Sequence, residues 1–540
     1  MNDFLEKYHD SKNRRVTFST NPFREHYIFQ HLKVINMIAG GYERAIKIHE
    51  EIQLISSISS VLYWDTNTTL PRMGIQYRSN QVGYLSQLIH KLQTSDELKQ
   101  AIEDAKKRPL EEEQQRDIEI LERTIKIGSA LPEEFVKNQS AQANTTLEVW
   151  KKAKAKMDFS IVLPELKKNF ELTYQRGELI GKALEIDDPF EALIFVREPG
   201  FTSAKITSLF SEAIGYLKPM TNKYSEMSRE IDTAFLDFHV PKTVQHEVVK
   251  TISRFYTYPF EGEESKGTIG EVEHPLTIGC GPMDVRITVN YDESRYTRSI
   301  FAACHELGHA LDRLGRKPEW EGRPINSYRN PSIGECYSRF TENKIGKLPE
   351  FWEYMFPKLQ SIIQGPLKEV DWKEFYLATN LINPNPSRLK ADELTYLTHI
   401  IIRFEIERML FRGEIDVEDL PQVWNDKYAE YLGIEVQNDT EGVMQDLHWY
   451  SVYWAYFQGY GLGDLMGSQI YFKLSESVKD WRDTLREGNM KPAIDWLTQE
   501  AFSLGGRYDP PDLIKAITGQ QLSTNYHKNY LEQKYTRLFN

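Results

Sequence analysis

Two histidines four residues apart, with a glutamate directly after the first, constrain this chain more than any other feature. They lie in FAACHELGHALDRLG, residues 301–315. On an α-helix, positions i and i+4 share a face one turn apart, so His305 and His309 can direct both imidazoles at one metal ion. Glu306 then projects beside such an ion, where it can take a proton from a water and return it to a leaving amine. Phe301, Ala302, Leu307, Ala310, Leu311 and Leu314 supply apolar contacts that would seat the helix in a core. The same spacing also arises by chance, and a helix with two unrelated histidines is the plain alternative.

A catalytic zinc needs a third protein ligand and an open fourth position. The metzincin pattern asks for a glycine and then a further histidine after the second one. Those positions hold Asp312 and Gly315. A glutamate spaced as in aminopeptidase-like sites would fall on Tyr328. The best remaining candidate is Glu335, in SIGECYSRFTEN, which reads as a second helix able to cross the first. Taken alone, an acid there reads by default as a solvated glutamate at a helix start; the need for a third ligand is what favours Glu335.

Around this motif, helical periodicity dominates. Helices are expected over 42–64, 111–127, 163–185, 203–230, 242–257, 366–381, 391–412, 419–432, 447–475 and 490–503, with Pro132 opening a further one. Residues 274–291, HPLTIGCGPMDVRITVNY, read instead as a small β-hairpin or sheet just before the histidine helix, because DVRITVNY alternates and is rich in β-branched residues. Length alone, 540 residues, would suggest about three or four domains. No composition break or repeat divides the sequence, so one large helical body over 41–540 is expected, with residues 1–40 as an irregular N-terminal extension.

With 40% hydrophobic and 12% aromatic residues, the chain can bury a large core. A net charge of −13 argues against nucleic acid or an anionic membrane as partner. No apolar run is long enough to span a bilayer, and the N-terminus lacks the apolar segment of a secretory signal. The three cysteines, Cys280, Cys304 and Cys336, fit reduced thiols in a cytoplasmic protein.

Several ordered motifs resemble the carboxypeptidase Taq family of metallocarboxypeptidases, the thermostable carboxypeptidase 1 type. They are DVRIT (284–288), HELGH (305–309), GECYS (334–338), IRFE (402–405) and GVMQDLHW (442–449). LYWDTNTTLP (62–71), REPG (197–200), HPLTIGCGPMDVRIT (274–288) and ADELTY (391–396) add to the likeness, which runs from about residue 45 to about 520. The resemblance implies a mostly helical fold with a deep active-site groove, a homodimer, and release of single residues from the free C-termini of peptides with broad preference. It implies zinc on His305, His309 and Glu335, with Glu306 as the base; ligands of these types also accept cobalt or manganese.

The likeness also aligns PNPSRLKADELTY (384–396) with an Ile-Arg-x-x-Ala-Asp-Glu segment, which makes Arg388 the clamp for the terminal carboxylate. His448 and Tyr460 become candidates to donate to the scissile carbonyl or the developing oxyanion. Asp284 with Arg286, and Arg403 with Glu405, read as bracing charge pairs. Asp446 and Glu342 read as carboxylates that orient ligand histidines. Four positions depart from the family pattern: Gly334 and Cys336 stand for the histidine and serine of a His-Glu-Ser run, Ser387 replaces an isoleucine, and YGLGD (460–464) ends in Asp464 rather than asparagine. The rival readings are an endo-acting helical zinc oligopeptidase and a non-catalytic zinc-binding helical protein. The intact Glu306 speaks against the second, because a structural site has no use for a base.

Overall fold

The amphipathic stretches form helices over nearly the lengths their periodicity sets. In the computed structural model, which describes residues 40–540, helices run Gly41–Thr68, Glu112–Ser129, Leu163–Leu184, Ser203–Ser228, Lys242–Phe255, Glu393–Phe411 and Leu420–Leu432. Pro132 immediately precedes the helix Glu133–Lys156. The expected N-terminal extension lies outside the described residues, apart from Gly40.

Three expected helices are broken. Residues 447–475 do not form one helix: a short 3-10 turn, Trp449–Ser451, precedes a helix that starts only at Phe457. Between them Val452 and Ala455 take the left-handed backbone, with φ of 60° and 51°. That turn lets Trp449 and Trp454 stack at 5.4 Å inside the core, and aromatic burial there overrides helical periodicity. Residues 366–381 divide into a 3-10 turn, Gly365–Glu369, and a helix, Trp372–Ala378, restarted by a capping box on Asp371 and Glu374. Residues 490–503 likewise end their helix at Glu500 and continue as a 3-10 turn, Phe502–Leu504.

The expected hairpin is present, and a third strand joins it. The strands are β1 (Ile269–Glu271), β2 (Thr277–Gly281) and β3 (Asp284–Val289), in the order β1-β3-β2. β2 runs antiparallel to β3, with Thr277 opposite Ile287 and a register shift between Gly279 and Gly281. β1 pairs in parallel on the other edge. At three residues, β1 is too short to show alternation in the sequence. Val285, Ile287 and Val289 of β3 are buried, and β3 lies against the motif helix Thr297–Leu314.

The motif helix packs against the helix Pro331–Asn343, which packs in turn against Phe457–Ser477. Both approaches depend on glycine. A Cβ placed on Gly308 would lie 2.5 Å from the Tyr337 carbonyl oxygen and 2.6 Å from Ser338 Cα. One placed on Gly463 would lie 2.8 Å from Glu335 Cβ and from the Cys336 nitrogen. Those separations are well inside van der Waals contact, so any larger residue forces the helices apart. One hydrophobic core extends from Ala153 to Tyr535, and a smaller one sits among the helices of residues 41–129.

Glu407 is a carboxylic acid inside this core, fully buried and accepting a 2.7 Å hydrogen bond from Trp449 Nε1. Burial pushes its pKa up from 4.5 to about 8. Between those values the folded chain retains a proton that the unfolded chain has lost, so stability falls as pH rises through that window. Glu407→Gln removes the titration. Its melting temperature, followed by circular dichroism, is expected to fall less than that of the parent between pH 5 and pH 8.5; equal slopes would show that Glu407 does not carry this dependence.

Candidate metal centre and substrate groove

Two crossing helices assemble the centre. The motif helix carries His305 and His309 on one face, and Gly308 between them admits the helix that carries Glu335. One donor atom from each of His305, His309 and Glu335 lies within 4.8 Å of the others. His305 Nε2 and Glu335 Oε2 are 3.6 Å apart, close to the roughly 3.3 Å that two ligands at a tetrahedral zinc subtend. The imidazoles meet nearly edge to face, with ring centroids 5.0 Å apart.

Glu342, two turns along the helix from Glu335, accepts a 3.0 Å hydrogen bond from His305 Nδ1. A carboxylate can only accept, so Nδ1 carries a proton, and Nε2 is the nitrogen turned toward Glu335. Burial opposes charge on Glu342, but Arg339, His305 and Lys347 outweigh it and hold the carboxyl at about 2. Arg339 donates to Glu342 Oε2 at 3.2 Å. Burial also opposes charge on His305, yet Glu342, Glu335 and Glu306 raise its pKa to about 9. Three acids gather around His305, and two imidazoles and a carboxylate converge, which is the donor set of a divalent cation site.

Glu306 is buried beside this group. Its Oε2 accepts a 2.7 Å hydrogen bond from Thr277 Oγ1 of β2, which also donates to the Glu306 carbonyl at 3.0 Å. Burial lifts the Glu306 carboxyl to about 7, against the opposing pull of His305 and Thr277. A carboxyl poised there can both accept and release a proton at neutral pH.

The centre opens into a cavity of about 830 Å³ lined by His305, Glu306, His309, Glu335, Arg388 and Tyr460, among others. A second cavity of about 490 Å³ shares His305, Glu306 and Glu342 and continues past them toward Lys347 and Lys390. Arg388 is held by Asp446, whose Oδ1 accepts from Nε at 3.0 Å and from Nη2 at 2.8 Å. Nη1 is the Arg388 nitrogen with no protein acceptor among the described residues. The Arg388 guanidinium lies 5.4 Å from the Tyr460 ring centre. His448 does not line the cavity: it stands behind Tyr460, 3.5 Å from its hydroxyl, with Nδ1 buried and unpartnered.

Two expected contacts are corrected. Asp446 orients no ligand histidine; besides Arg388 it accepts from Arg403 Nε at 2.6 Å. Arg403 does not pair with Glu405, which instead accepts from Lys427 and Tyr431. Residues i and i+2 point to different sides of a helix. On a strand they share a face, and Asp284 and Arg286 of β3 do pair, at 2.6 and 2.8 Å. Gly334 leaves a gap beside His309: a Cβ there would meet Arg329 Cδ at 3.6 Å and His309 Cε1 at 3.8 Å, both ordinary contacts. Thr277, Arg197, Arg313, Arg329 and Tyr456 also border the groove; the sequence assigns none of them a role there, although Arg197, Thr277 and Arg313 lie within the stretches quoted above.

A helical body with an HExxH helix, a crossing acid and a groove over them defines a helical metallopeptidase. Comparison with known proteins sharpens the class. The family model for carboxypeptidase Taq (M32) metallopeptidases matches residues 44–535. Carboxypeptidase 1 of Bacillus subtilis is 32% identical over 492 residues, covering 91% of this chain and 97% of that protein. Thermostable carboxypeptidase 1 of Thermus thermophilus is 30% identical, covering 93% of this chain and 99% of that protein. The crystal structure of an M32 carboxypeptidase from Deinococcus radiodurans superposes with a TM-score of 0.88 at 28% identity, covering 92% of this chain and 99% of that one. The chain belongs to the M32 carboxypeptidase Taq family, and it is a metallopeptidase, a peptide hydrolase.

Removing the Glu342 carboxylate while keeping its shape should expose the link between the two helices. Glu342→Gln is expected to weaken metal binding by about 10- to 100-fold, read by competition with a chromophoric chelator. Unchanged affinity would mean that the His305–Glu342 contact does not tune the site.

Proposed function

We propose that this chain is a zinc-dependent carboxypeptidase that releases single residues from the free C-termini of peptides, with broad acceptance of sequence. The observation that carries the reading is the convergence of His305, His309 and Glu335 beside the buried Glu306, in a groove that also presents Arg388. His305 and His309 would hold the ion through imidazole nitrogens and Glu335 through a carboxylate oxygen, with cobalt or manganese able to replace zinc. When bound, zinc supplies a Lewis acid that polarises the scissile carbonyl and acidifies water.

Glu306 takes the proton of the attacking water and returns it to the departing amine, with Thr277 fixing which oxygen is free to act. Tyr460 donates its hydroxyl hydrogen to the developing oxyanion. His448 acts through Tyr460 rather than on the substrate. Arg388 receives the terminal carboxylate on Nη1, its other contacts to Asp446 fixing the plane of the guanidinium. Asp446, shared between Arg388 and Arg403, holds both cations in place.

The helical region 41–540 forms the catalytic unit, and the enzyme works as a homodimer in the cytoplasm. Three buried, unpaired cysteines support a reducing compartment, and among the described residues no helix is long and apolar enough to cross a membrane. An apolar face along Gly41–Thr68 and Ile75–Gln93, with Leu54, Ile58, Met73, Ile75, Tyr77 and Tyr84 exposed, suits contact with a second copy.

Glu306→Gln is expected to lower kcat by at least 10³-fold with zinc still bound, measured by amino-acid release and metal analysis on the same sample. Full turnover in that variant would remove the assignment. Amidation of the peptide C-terminus should stop hydrolysis in the parent enzyme; cleavage that ignores the amide would instead identify an endo-acting oligopeptidase. Light scattering during gel filtration should give twice the chain mass, and Tyr77→Glu with Ile58→Glu should return it to one. A parent protein that runs as a monomer would end the dimer reading.

A further inference from the structure

Arg313 continues the stripe that the two histidines begin. It lies four residues beyond His309, one further turn along the same helix face, and borders the same cavity. Its side chain is exposed into that space, and among the described residues it has neither a hydrogen-bond acceptor nor a carboxylate partner. Its neighbours add positive charge without neutralising it. Arg316 and Arg329 both approach one buried carboxylate, Asp312, Arg316 at 3.7 Å. Three guanidiniums therefore stand around a single anion that two of them already occupy.

The surrounding structure keeps Arg313 free and in place. β2 passes directly over it at Gly279, where a Cβ would lie 2.7 Å from Arg313 Nη1. The absent side chain at Gly334 leaves the adjoining wall open beside Arg329 and His309. Arg197, on the cavity's rim, rests on the rings of Tyr453 and Tyr456 and likewise has no carboxylate partner among the described residues. The acids of the cavity, Glu306, Glu335 and Glu342, are gathered around the histidines instead.

We propose that Arg313 is an anion subsite of the groove, receiving the side-chain carboxylate of an acidic residue on one side of the scissile bond. The proposal rests on the peptidase reading above and refines its broad acceptance into a bias. Asp and Glu side chains gain a charge-assisted, bidentate contact at Arg313, while Lys and Arg meet an uncompensated like charge.

Two peptide sets test this on the zinc-loaded, full-length enzyme: one varies the last residue among Glu, Ala and Lys, the other varies the penultimate residue. In one set, kcat/KM for Glu should exceed that for Lys by about tenfold or more, as expected of a hydrogen bond between charged groups. The ratio should shrink as salt is raised. Arg313→Ala should bring the Glu-to-Lys ratio toward one, and Arg313→Lys should retain part of it. Equilibrium binding of the same peptides to Glu306→Gln protein is read in parallel by calorimetry. Lack of cleavage with preserved Glu-over-Lys binding would count against the peptidase reading alone. Equal binding of Glu and Lys peptides at both positions, or a ratio that survives Arg313→Ala, would overturn the Arg313 subsite.

Discussion

The close crossing of two helices at Gly308 is the constraint on which the rest of the site depends. HExxH spacing can align two imidazoles within one helix, but it cannot supply the acid; that must come from elsewhere at a fixed depth. With hydrogen in place of a side chain at 308, the helix Pro331–Asn343 comes close enough for Glu335 Oε2 to stand 3.6 Å from His305 Nε2. Gly463 repeats the device on the far side of that helix, so it is clamped between two neighbours at backbone contact. Close contact of this kind has no slack, and a ligand carried on such a helix keeps its position without help from a loop.

Once the crossing is set, each helix contributes a whole stripe rather than one residue. His305, His309 and Arg313 follow at four-residue steps on the motif helix. Glu335, Ser338, Arg339 and Glu342 follow at three- and four-residue steps on its partner. Two carboxyls that burial alone would drive the same way are thereby driven apart. Glu342, faced by Arg339, His305 and Lys347, is held at about 2, a fixed anion. Glu306, opposed only by His305 and a hydroxyl, stays near 7 and can carry a proton. A division of labour between two neighbouring acids follows from which one has a guanidinium in reach.

What was legible in the sequence was what is local. Helix spacing placed His305, Glu306 and His309; the need for a third ligand pointed to Glu335; strand spacing paired Asp284 with Arg286. The misreadings concern contacts made across the fold. Nothing in the neighbourhood of Asp446 says that its partners are Arg388 and Arg403, and applying the same i,i+2 pairing to a helix misassigned Arg403 to Glu405. The break near Val452 escaped because its cause is a pair of stacked indoles within the core, not a glycine or proline in the chain. Thr277 was invisible as a partner of Glu306 because β2 reaches the motif helix only through the folded sheet.

Charge shows why local arrangement, and not composition, decides what the groove can hold. The chain carries a net −13, which at long range repels the carboxylate that a carboxypeptidase must capture. Yet Arg197, Arg313, Arg329, Arg339 and Arg388 all border the cavity. At physiological salt, opposing surface charge is screened beyond about 8 Å, whereas charges set between low-dielectric walls keep their reach. A peptide end is thus admitted by what lines the cleft. The cost of holding so many guanidiniums together is met by assigning most of them a buried acid: Asp446 for Arg388, Glu342 for Arg339, Asp312 for Arg329. Each of those acids fixes the direction of its cation, so the positive charge that remains toward the cleft is set by the fold and not by the flexibility of a long side chain.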